Sequence, residues 1–126
     1  MSIPPNAKEK AFMKAVMDFH NEYGVGYLYG SEWDKSPLQC HHVCGRTYKQ
    51  NKVHIGHYFI LPIPFELHDV HSNHPLNVTN WRHNFTSEFG LQRDLWLRMV
   101  NKMIDNYIIT KPLPDGIPAA IMASKF

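Results

Sequence analysis

At 126 residues the chain has the length of a single domain, 1–126, and its apolar, aromatic and charged fractions are ordinary for a globular protein with a modest core. A net charge of +2 allows a nucleic-acid partner through a local patch without demanding one, and two cysteines, Cys40 and Cys44, are too few for a disulfide framework and read as cytosolic thiols. No apolar run reaches membrane-spanning length, and Met1 to Pro5 has neither the basic nor the apolar region of a signal peptide, so the expectation is a cytoplasmic protein of a bacterium or of a virus infecting one, with no membrane partner.

In chain order, Asn6 predicts a cap for a helix from Ala7 to about His20, with Ala11, Phe12, Ala15, Val16 and Phe19 as its apolar face. His20 reads as structural, placed where a helix dipole favours it. The stretch from Gly24 to Gly30 is punctuated by glycine but lacks the lysine and hydroxyl residue that close a phosphate loop. Leu38 to Val43 reads as a strand, Lys49 to Lys52 as a polar turn, and His57 to Ile63 as a second strand, so the pair predicts a hairpin. Pro64 opens a short helix from Phe65 to His71, which Ser72-Asn73-His74-Pro75 breaks. Thr79 predicts the cap of a helix ending at the C′ glycine Gly90, and a longer helix follows from Leu91 to Ile109. Leu95, Met99, Met103 and Ile104 form its buried stripe, widened by Trp96 and Val100. The segment 110–126, rich in proline, reads as an irregular arm. The predicted class is α+β: a β-hairpin plus short helix, preceded by one helix and followed by two.

Eight of the nine histidines lie between His41 and His83. Histidine is the commonest metal ligand and titrates near neutrality, so the cluster points to metal binding, proton transfer or both. A hairpin followed by a helix can clamp a metal between strand and helix, with a separate base left to activate water. Neighbouring strand residues face opposite ways, so His41 and His42 cannot both ligate one ion from a regular strand: one can face a metal and the other the substrate side, and at a twisted strand end both can still border one cleft. His68 and His71, three apart, share one face of the predicted helix and supply further ligands, while His74 falls beyond its end. His54 and His57 read as surface or DNA-facing, and His83 as a packing or surface residue. Cys40, Cys44, Trp81, Phe85 and Trp96 read as core, and Arg82, Arg93, Arg98 and Lys102 as a solvated helix face.

The run His41-His42-Val43-Cys44-Gly45-Arg46-Thr47, followed by Leu61-Pro62-Ile63 and Phe65-Glu66-Leu67-His68, resembles the ββα-metal core of HNH endonucleases, and more narrowly the phage Ref family of RecA-dependent nucleases. Asn84 to Gly90 is similar to a helix end found downstream in related phage nucleases. The resemblance covers about 23–90 and implies an HNH-type, phage-encoded DNA endonuclease acting in recombination or DNA processing. It implies His41, His68 and His71 as ligands of a divalent ion, Mg2+ first, with Mn2+ or Zn2+ as alternatives. It makes His42 the general base, with Asn51 orienting it and Arg46 on the scissile phosphate. DNA is the implied partner, and a recombinase filament of the host a further one. Leu67 stands where the family has the first histidine of a helical pair, and Pro64 and Val25 to Leu28 stand where it has zinc-binding cysteines. Tyr27, Tyr29 and Phe65 are therefore expected to pack where a structural zinc would sit. Rival readings are a non-catalytic phage factor, binding DNA or a host protein on a degenerate HNH scaffold, and a purely structural zinc module.

Overall fold

The computed structural model describes residues 4–44, 49–50, 52–109, 113–114 and 116–126. Helix α1 spans Ala7–Tyr23. Asn6 starts it with a full capping box: its side chain accepts the Glu9 N–H at 2.8 Å, and Glu9 Oε1 accepts the Asn6 N–H at 3.0 Å. Its buried stripe is Glu9, Phe12, Val16 and His20, rotated from the predicted face, so Ala11 is exposed. A short helix α2, Gly26–Tyr29, occupies the glycine-punctuated stretch.

Strand β1 (Leu38–His42) pairs antiparallel with β4 (Ile60–Pro64), His41 opposite Leu61 and His42 opposite Ile60. Between them the predicted polar turn is a second, smaller hairpin, β2 (Lys49–Gln50) against β3 (Val53–His54). The predicted second strand is shorter than expected because Gly56–Tyr58 form a 3-10 turn. The ladder bonds Val43 N–H to Phe59 O and Phe65 N–H to Pro37 O set the alternation. Pro62 and Pro64 thus fall on the outward-facing positions, where a missing N–H breaks no ladder bond. The Tyr29 hydroxyl donates to the outward Pro62 carbonyl at 3.0 Å. All of β4 is buried, between α1 and the helix from Gln92, whereas β1 is half-buried at the edge.

Helix α3 is Phe65–His68, one turn instead of two. Its end is set by side chains that take the carbonyls a longer helix would have used. Asn77, fully buried, donates to the Glu66 and Asp69 carbonyls, the Ser72 hydroxyl donates to Glu66 O, and the Thr79 hydroxyl donates to His68 O. Val78 N–H donates to Leu67 O at 2.7 Å. Thr79 is therefore no helix cap: α4 runs Arg82–Phe89 and begins after Trp81. Gly90 ends it with φ +94° and ψ 179°, a positive φ that favours glycine, though not the left-handed helical conformation expected of a C′ glycine.

Helix α5, Gln92–Asp105, buries Leu95, Trp96, Met99, Val100 and Met103, with Ile104 half-buried. The predicted irregular arm contains a helix, α6 (Ile117–Met122), which buries Ile117, Ala120 and Ile121. Of the expected zinc-replacing aromatics, Tyr29 is buried and Tyr27 half-buried, but Phe65 is 43% exposed. Trp81, also expected in the core, is 41% exposed. Nor are the basic residues of α4 and α5 simply solvated: Arg82 lies over the Phe126 ring, Arg93 donates to Ser124 O, and Arg98 donates to Tyr27 O. The fold is thus α+β, an antiparallel hairpin set among helices, and none of its described helices is long and apolar enough to cross a membrane.

Candidate functional site

Two of the predicted site residues meet where the end of β1 faces α3 and α5. His41, on β1, and His68, on the last position of α3, bring their rings together with centroids 4.8 Å apart in an edge-to-face contact. The hairpin register and the direct β4-to-α3 junction produce this approach, since Pro64 ends the strand and precedes the helix.

Each ring is held by an amide oxygen. His41 Nε2–H donates to Gln92 Oε1 at 2.8 Å, and His68 Nδ1–H donates to Gln39 Oε1 at 2.5 Å. An amide oxygen only accepts, so these bonds fix the tautomers. Gln39 is oriented in turn by its Nε2, which reaches Asp69 Oδ1 at 3.5 Å. Both rings are kept neutral. Burial, then the neighbouring His68 and His42 imidazoles, lower the His41 pKa to about 4 against the partial support of Gln92. Burial likewise lowers that of His68, more than the nearby Asp69 carboxylate raises it. His41 Nδ1 and His68 Nε2 are left as the lone-pair nitrogens. Neutral imidazoles whose other N–H is fixed on an oxygen are what metal-binding histidines require. Imidazole donors of this kind suit a first-row transition ion better than Mg2+, which prefers oxygen. Among the described residues, no group of three or more His, Cys, Asp or Glu side chains is arranged to hold a metal.

His42 turns away from this pair, as alternation along the strand demands. Its Nε2 stands 3.0 Å from His57 Nδ1, with ring centroids 5.1 Å apart. His57, expected at the surface, is only 2% exposed. Its backbone N–H donates to Glu9 Oε2 at 3.0 Å. Burial raises the Glu9 pKa, but the Asn6 and His57 backbone N–H groups and the His57 and His54 imidazoles outweigh it, so the carboxyl ionises below its usual range.

His71 does not join the site. Helix α3 ends before it, and it is an exposed turn residue whose N–H donates to Asp69 Oδ2. His74 packs on Trp33 and accepts the Leu76 N–H. Arg46 and Asn51 lie outside the described residues. His83 is exposed and lines a cleft with Arg82, Thr86, Gln92, Lys125 and Phe126. Cys40 and Cys44 are half-buried, and burial pushes the Cys44 thiol up to about 11, so it is no ready thiolate. Leu67, at the position where the resemblance would put a histidine, is fully buried and serves the core. His20 is buried and neutral, with its pKa lowered to about 4 by burial, and bonds Val16 O and the Tyr27 hydroxyl, so it gives the helix dipole no charge.

Sequence reasoning missed Gln39, Gln92, His57 and Glu9. Gln92 carried a signal: it is a polar residue in the first turn of α5, in line with the buried positions Leu95, Trp96 and Met99. Glu9 was legible as the third helical residue after Asn6, the capping-box position. His57 gave none, because its burial depends on a 3-10 turn held by a residue 48 positions away. Comparison with protein-family models, with curated proteins and with solved structures finds no match to this chain.

Proposed function

We propose that the chain is a divalent-metal-dependent DNA endonuclease of the HNH type. The observation that carries this reading is the His41–His68 pair, two neutral imidazoles joined across a strand and the helix that follows, with His42 on the adjacent strand position facing the other way. This separates ligand from base, the division the chemistry needs. His41 and His68 would hold the ion through His41 Nδ1 and His68 Nε2, and Mn2+ or Zn2+ suits these donors. When bound, a divalent ion stabilises charge on the phosphate and on the leaving oxygen. His42 takes a proton from water, the water oxygen bonds to phosphorus, and the P–O bond to the leaving oxygen breaks. DNA is the proposed substrate, and recombination or DNA processing, with a host recombinase filament as a further partner, is the setting the sequence resemblance implies.

The test is cleavage of supercoiled and single-stranded DNA with Mn2+, Mg2+ or Zn2+, with and without chelator. The wild type should nick or cut, and chelation should stop it. His42→Ala should lose roughly 100-fold or more in rate while binding DNA as before, the usual scale for a general base. Equal cutting by His42→Ala would remove the base assignment. A wild type that binds DNA and never cuts it would leave the non-catalytic binding protein as the better reading.

A further inference from the structure

Resting on DNA as the partner in the nuclease reading, we propose that the cleft between α4, the start of α5 and residues 124–126 seats a phosphate of the nucleic-acid backbone, with Arg82 and Lys125 supplying the positive charge. Its lining includes Arg82, His83, Thr86, Gln92, Lys125 and Phe126 and, among the described residues, no Asp or Glu side chain. At about 200 Å3 it is smaller than the roughly 300–1,000 Å3 of sites that enclose a drug-sized molecule, and it suits one charged group rather than a whole nucleotide.

Residues 124–126 are pinned to the first turn of α5. Gln92 N–H donates to Phe126 O at 2.8 Å, the Arg93 guanidinium donates to Ser124 O, and the Phe126 ring packs edge-on against Phe59. This fixes a ring on which two cations rest: Arg82 Cζ and Lys125 Nζ each lie 5.5 Å from its centroid. An aromatic ring attracts a cation but offers its N–H groups no oxygen. Among the described residues, neither of these two side chains has an ion pair or a hydrogen bond. Two like charges are thus held close together with their donors unused. Even a terminal carboxylate on Phe126 would set only one negative charge against them. A phosphate relieves the repulsion and takes the Arg82 fork, while Thr86 and His83 bring a hydroxyl and an imidazole to the same wall. The cleft adjoins the histidine pair through Gln92, which lines it and whose Oε1 accepts the His41 Nε2–H at 2.8 Å. A strand with a phosphate in the cleft therefore passes beside His41.

The experiment reads binding of the full chain to a labelled duplex oligonucleotide by fluorescence anisotropy, in chelator so that no cleavage intervenes, over a series of salt concentrations. The double variant Arg82→Gln, Lys125→Gln should weaken Kd by roughly 10-fold and flatten the slope of log affinity against log salt by about 0.9, the value for one lost phosphate contact on B-DNA. Each single variant should lose part of this, and the two parts should not add, because both side chains serve one phosphate. Lys10→Gln, which removes a charge from an exposed position on α1, should stay within about twofold of wild type. Arg82 and Lys125 are exposed, so an unchanged urea midpoint in their variants separates lost binding from misfolding. Inorganic phosphate should displace the DNA no better than chloride at equal ionic strength. A double variant with wild-type affinity and slope, or an equal loss in Lys10→Gln, overturns the inference. Displacement by inorganic phosphate well below the ionic strength at which chloride acts also overturns it, in favour of a site for the free anion. The nuclease reading is judged apart, by cleavage with Mn2+. A wild type that binds DNA without cutting it overturns that reading and leaves the cleft standing, and a wild type that binds no DNA overturns both.

Discussion

At His41 and His68 two forces act together. Burial removes the charged form, and an amide oxygen chooses which nitrogen keeps the proton. Gln92 is itself buried and draws the His41 ring toward α5, so its side chain is an orienting partner of the proposed ligand. Replacing it with leucine keeps most of the volume but frees the ring to exchange tautomers. Gln92→Leu should therefore weaken Mn2+ or Zn2+ binding by roughly 10–100-fold, the usual cost of losing an outer partner of a ligand, as a calorimetric titration would read. Unchanged affinity would mean that Gln92 serves packing alone. The histidine pair was legible in the sequence because alternation along a strand separates His41 from His42 and because a strand leading into a helix brings His68 near. The amide partners were not, since a glutamine 51 positions from His41 has no local signature of contact.

Among the elements, the clearest departure from the sequence pattern is α3. Spacing alone continues this helix to His71, and His71 then looks like a ligand. The 69–80 segment ends it instead, because Asn77 supplies two donors, to the Glu66 carbonyl within α3 and the Asp69 carbonyl just past its end, and accepts the Thr79 and Asn80 N–H groups. Local propensity cannot reveal this, since the caps come from 8 and 11 residues downstream. The same competition took Thr79 from the cap of α4 and turned the following helix start to Arg82. Asn77→Leu should strand several buried polar groups and cost about 3 kcal/mol, within the range for unpaired buried donors and acceptors. A urea denaturation midpoint that does not move would show that water replaces these bonds. His71→Ala, by contrast, should change neither metal affinity nor stability by a measurable amount, since the side chain is exposed and outside the site.

For the whole molecule, the buried neutral histidines link folding to pH. His20 and His41 each have a pKa near 4 in the folded chain against an ordinary 6.5, so the unfolded chain binds more protons in that interval. Their contribution to stability is complete above about pH 6.5 and is lost progressively as the pH falls toward 4. Urea midpoints measured across this interval should fall with acidification, and the slope should flatten in His20→Gln, which removes one of the groups whose pKa burial lowers. An identical slope in that variant would place the linkage elsewhere. The α+β class, the hairpin and the helix order were legible because hydrophobic periodicity and the Pro64 junction are local signals, whereas α6 was hidden by the proline-rich segment that leads into it. The proposed site depends above all on His41 and His68 sharing one ion. Calorimetric titration of the full chain with Mn2+ and Zn2+, on the wild type, His41→Ala, His68→Ala and the double variant, tests this directly. One ion per chain should bind the wild type, either single variant should lose nearly all affinity, and the double variant should lose little more than a single one. Small losses that add, or wild-type affinity in either single variant, would contradict it.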